Sequence, residues 1–98
     1  MSENIYQRAL DKWGEASQIM MATGECGEFI AESTKHFVQN KSSVEAVASE
    51  VADVMIMMEQ MRLLCGQELV DSIKQQKLER LDAIINGTVY HPHQGQQS

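Results

Sequence analysis

Two pairs of acids in the 98-residue chain have the types and spacing to do chemistry: Glu25 with Glu28, and Glu50 with Asp53. Carboxylates three residues apart share one side of a helix. An antiparallel hairpin of the two segments would bring all four to a common point. Unpaired carboxylates so arranged repel one another, but together they form an oxygen-only cage for a hard divalent cation. Magnesium is the natural occupant, because carboxylates and substrate phosphate oxygens are its usual ligands, and manganese is the alternative.

The surroundings of the second pair sharpen this expectation. At 100° per residue, Val47, Val54, Met57, Met58 and Met61 fall within about a quarter of the wheel, and Glu50 lies inside that apolar stripe. Asp53 lies on its border, whereas Glu45, Glu59 and Gln60 lie on the far side, where a solvated face belongs. A carboxylate in an apolar stripe is costly to desolvate unless it is paired or coordinates a metal. A later segment offers one pairing: Lys77 falls amid Val70, Ile73, Leu81 and Ile84, flanked by Lys74 and Arg80. Lys77 either forms a plain salt bridge while its head reaches solvent, or holds an anion shared with a metal.

Glu25, Glu28 and Glu32 form a stripe that Lys35 and His36 continue, opposite Ile19, Ala22, Cys26, Phe29, Ile30 and Phe37. Taken alone it reads as a solvated face with local pairs such as Glu32 with His36. Trp13 suits either a hydrophobic anchor or a stacking platform, and the methionines at 55, 57, 58 and 61 suit a core or a subunit seam.

The elements that must position these residues are helices. A short helix is predicted from Asn4 to Trp13, stopped at Gly14, and a second from Glu15 to Val38. Ser42 and Glu45 resemble a capping box opening a third helix that lasts to Cys65, with Gly66 as its stop. The fourth runs from Gln67 to the Asn86–Gly87 stop. Three long helices and one short one predict an all-α, four-helix-bundle-type fold over residues 1–90, followed by a flexible tail, 91–98. His91 and His93 in that tail read as incidental.

With 43% hydrophobic and 22% charged residues, the chain is an ordinary globular protein of one domain. Its net charge of −6 disfavours long nucleic acids and anionic membranes as partners. No apolar run reaches membrane-spanning length and the N-terminus lacks the pattern of a signal peptide, so a cytoplasmic location is expected. Cys26 and Cys65 lack ligand spacing and read as reduced core residues. A chain this short buries only about two-thirds of its unfolded surface, which predicts completion by oligomerisation as a homodimer or homotetramer.

The two acidic motifs, ECGE (Glu25 to Glu28) and EVAD (Glu50 to Asp53), resemble the Glu-x-x-Glu and Glu-x-x-Asp signature of the MazG-type, all-α nucleoside triphosphate pyrophosphohydrolases. KWGEASQIMMATGECGEFIAESTK is similar to that family's Trp-Gly, Gln and Glu-rich helix, SEVADVMIMMEQM to its Glu-x-x-Asp helix, and KLERL to its following basic element. The likeness covers about residues 8 to 86 and is closest to short single-domain phage and bacterial members. It implies Mg²⁺ held by Glu25, Glu28, Glu50 and Asp53, and catalysis aided by Glu28 or Glu32 as the base. It also implies phosphates clamped by Lys77, Arg80 and Lys74, and a base met by Trp13 and Gln18, with His36 a further contact. The implied reaction converts a (d)NTP to its monophosphate and pyrophosphate, for nucleotide-pool sanitation or control. One departure is Gly24, where the family carries a further Glu. It keeps open a catalytically weak or inactive helical dimer that binds nucleotide or protein, beside a third reading in which the acids form only structural ion pairs.

Overall fold

The structure, a computed structural model, describes residues 4–91. Of the expected tail it describes only His91, which is exposed; the rest, His93 included, lies outside the described residues. The chain is all-α: α1 (Ile5–Trp13), α2 (Glu15–Ser33), α3 (Val44–Cys65) and α4 (Gln67–Ile85), with a π-helical turn, Thr34–Val38, extending α2. The predicted second helix therefore keeps its length but changes its winding over its last five residues.

The ends follow from local chemistry. Asn4 caps α1, its side chain accepting from the Gln7 N–H at 3.3 Å. Gly14 separates α1 from α2 with φ +90°, a conformation that favours glycine. Gly66, at φ +110°, does the same between α3 and α4. At the start of α3 the capping differs from the expected box. Ser43 accepts from the Ala46 N–H at 3.1 Å, while the Ser42 hydroxyl donates to Glu32 Oε2. The predicted cap is thus one residue early, because Ser42 is drawn away by an acid on the neighbouring segment.

Two compact units divide the chain, one up to Leu64 and one from Cys65. In the first, α1 packs back on α2, and the buried residues are Leu10, Gln18, Ala22, Val47, Met57 and Gln60. The buried face of α3 is turned by about 40° from the stripe drawn on a regular wheel. Gln60, expected on the solvated side, is only 3% exposed, while Met58 is exposed. The expected apolar side of α2 is similarly displaced: Ile19 and Ile30 are exposed and Phe37 is 70% exposed, whereas Gln18 is buried. Cys65 is exposed too, not a core residue, and Cys26 is half-buried; both are free.

In the second unit α4 buries none of its residues. Lys77, expected amid a core-directed face, is exposed, as are Leu81 and Ile84. Among its described residues the unit has no second helix against which that face could close. No helix among the described residues is long and apolar enough to cross a membrane.

Candidate metal centre and adjoining groove

Helical spacing puts Glu25 and Glu28 on one side of α2, and α3 supplies Glu50. One carboxylate oxygen from each of the three lies within 4.8 Å of the other two. Glu28 is exposed; Glu25 and Glu50 are half-buried. The Oε1 atoms of Glu25 and Glu50 are both shielded from solvent and have no hydrogen-bond partner among the described residues. An ionised oxygen in that position is costly unless something positive reaches it.

The electrostatics carry the same strain. Partial burial pushes the Glu25 carboxyl above the usual range, and the charges of Asp53, Glu28 and Glu50 add to the effect. Glu50 is raised by its own burial first, then by Glu28, Asp53 and Glu32. Asp53 and Glu32 thus belong to the same electrostatic cluster as the three converging acids. Among the described residues, every charge that acts on these two carboxyls is itself an acid, and none is a cation.

Glu32 is fixed from outside the cluster by the Ser42 hydroxyl. His36 does not pair with it as helix spacing suggested. Its Nδ1 lies 3.1 Å from the Ser42 carbonyl oxygen, an acceptor, so Nδ1 carries the proton. Ser42 therefore ties the end of α2 to the approach to α3 through two contacts.

Next to the acids along both helices is a groove of about 760 Å³ between α1, α2 and α3. Gln18 precedes Glu25 by seven residues on α2, and Met57 follows Glu50 by seven on α3, which separates groove and acids by ~10 Å at 1.5 Å per residue. Tyr6 and Trp13 give it aromatic walls, Arg8 and Lys12 a cationic edge, and Gln18 and Gln60 line it as buried amides. Trp13 is 58% exposed, which overturns a core-anchor role, and Lys12 Nζ stands 5.9 Å from its ring centre. Met57 is buried, in keeping with the core or subunit seam expected of the methionine set, and lines the groove as well.

Gln60, Tyr6, Arg8 and Lys12 were not singled out by the sequence. For Gln60 the hydrophobic wheel pointed the wrong way, and nothing in the residue order marks the other three. Lys74, Lys77 and Arg80 are exposed on α4, in the other unit. Comparison with family models, with curated proteins and with solved structures found no match.

Proposed function

We propose that the chain is a Mg²⁺-dependent nucleoside triphosphate pyrophosphohydrolase that works as a homodimer or homotetramer. The observation that carries this reading is the convergence of Glu25, Glu28 and Glu50, two of them with a shielded, unpartnered oxygen. The donor set is hard oxygen only, which suits Mg²⁺, or Mn²⁺ in its place, and not a soft metal. Asp53, the fourth acid of the expected set, raises its neighbours by its charge but is not one of the three whose oxygens converge.

A bound divalent cation would neutralise phosphate charge and acidify a coordinated water. The chain's own part is to hold the phosphates' counter-charge in place and to take a proton. Water attacks the α-phosphorus, the bridging bond to the β-phosphate breaks, pyrophosphate leaves, and the water's proton passes to Glu28 or Glu32. The Ser42 hydroxyl holds Glu32 for that role by its Oε2. Trp13 and Gln18 face the groove beside the acids, where a base would lie. The share of Lys77, Arg80 and Lys74 in holding phosphates rests on the family resemblance; all three are exposed, as such a role requires.

The test is pyrophosphate release from a panel of dNTPs and NTPs with Mg²⁺. Turnover of at least one nucleotide, lost in Glu50→Gln, is expected. No release from any of them in the parent protein sinks the hydrolase reading. Nucleotide binding without release would favour the alternative of a catalytically inactive binding module, which the glycine at position 24 keeps in play.

A further inference from the structure

Gln60 is a buried polar residue that the proposed hydrolysis does not use. It is 3% exposed; among the described residues its shielded Oε1 has no hydrogen-bond partner, and its Nε2 meets the Met57 sulfur at 3.9 Å, a weak acceptor. Burying an amide in this condition costs stability, and an apolar residue of similar size would serve a core better. The residue also lines the groove, together with the equally buried Gln18, beneath Tyr6 and Trp13. An amide left unsatisfied in a mainly apolar, aromatic-walled groove is what a ligand with its own hydrogen-bonding edge completes.

We propose that Gln60 is a specificity-determining residue that reads the edge of a nucleobase seated in the groove, with Trp13 stacked on the base. The inference takes from the proposed function only that the ligand is a nucleotide. A nucleobase fits on three counts. The groove's volume of about 760 Å³ accommodates either ring size. The ring faces match Tyr6 and Trp13, and the ring edge offers the donor that Oε1 lacks. The ~10 Å step along α2 and α3 from groove to acids leaves the sugar and phosphates room to reach the carboxylates. The terminal torsion of a glutamine is broad, so a modest turn of the Gln60 amide suffices to present either its oxygen or its NH₂.

Trp13 is the chain's single tryptophan and stands on the rim, so its fluorescence reports occupancy directly. Metal-free protein is titrated with adenosine, guanosine, cytidine and uridine, and with purine riboside, which lacks an N–H donor on its base. Saturable quenching by at least one of the four, binding about tenfold tighter than purine riboside, is expected. In Gln60→Leu and Gln60→Met that preference falls to near unity, while the melting temperature stays at or above that of the parent.

Quenching by none of the nucleosides, or an unchanged preference in both variants, overturns the inference. Variants that melt lower yet keep the preference show Gln60 to be a packing residue and overturn it too. Because no metal or phosphate is present, the outcome is independent of turnover. Nucleoside selectivity without pyrophosphate release would defeat the hydrolase reading alone, and release without a Gln60 effect would defeat this inference alone.

Discussion

At the scale of single residues, the acids of α2 and α3 are held in a state that disfavours their charge. The sign of the pH dependence follows. For Glu25 and Glu50 the folded-state pKa lies above the unfolded one, so between the two values the folded protein binds more protons. Their stabilising contribution is present below the unfolded value and is lost as pH rises through the folded one. The metal-free protein should therefore melt higher as pH falls from neutrality through the raised folded-state values towards the ordinary carboxylate range, the reverse of a chain dominated by salt-bridged carboxylates. With Mg²⁺ the trend should invert, since the cation binds the ionised form; thermal melts across that range, with and without chelator, check both slopes. Glu50→Gln removes a charge from a crowded, partly buried site and should raise the melting temperature without metal. The same change should cut turnover by more than the roughly 10- to 100-fold that losing even an outer-shell partner of a metal site costs.

At the scale of elements, α2 contains two glycines within its helical span, Gly24 and Gly27, and a methyl group at either position would meet nothing within 4 Å. Gly24→Ala and Gly27→Ala should each stabilise the protein by about 0.5–1 kcal/mol in denaturant titrations. Gly24→Glu has the same open space and adds a carboxylate next to Glu25; it should stabilise the metal-free protein less than Gly24→Ala and, if the acids hold a cation, bind Mg²⁺ more tightly. At the start of α3, Ser43→Ala should cost about 1 kcal/mol as a lost cap, and Ser42→Ala should act on Glu32 instead. That contrast also marks what the sequence could and could not say. Helix ends at Gly14, Gly66 and Asn86–Gly87 were legible because stop signals are local. Helix faces were less so: a wheel weighs Met58, Ile30 and Phe37 as inward, but which side is buried depends on the neighbouring helix, which no single helix encodes. Gln60 falls on the solvated side of the wheel for the same reason, since an amide becomes a groove wall only where α1, α2 and α3 meet, whereas Gln18, named as a base contact by the family resemblance, lines that groove. The acids were legible as motifs, but their two unpartnered oxygens are visible only in three dimensions.

At the scale of the whole molecule, the described residues hold few buried apolar side chains, Leu10, Ala22, Val47 and Met57, and none is completely sealed from solvent. Large apolar groups such as Ile30, Phe37, Leu81 and Ile85 are exposed. A core this small gives a lone chain little hydrophobic stabilisation, which supports assembly of like copies. If the protein assembles, its melting temperature should rise with protein concentration and light scattering should return a multiple of the single-chain mass; a concentration-independent melt and a single-chain mass would contradict assembly. Beneath the oligomer, the hydrolysis and the base lies one claim: the converging carboxylates are a cation site. Its most direct measurement is calorimetric titration of Mg²⁺ into the chelator-stripped protein at pH 7, beside Glu50→Gln. Saturable binding to the parent, lost in the variant, is the predicted result. No binding to the parent, or equal binding to both, would contradict the account at its root.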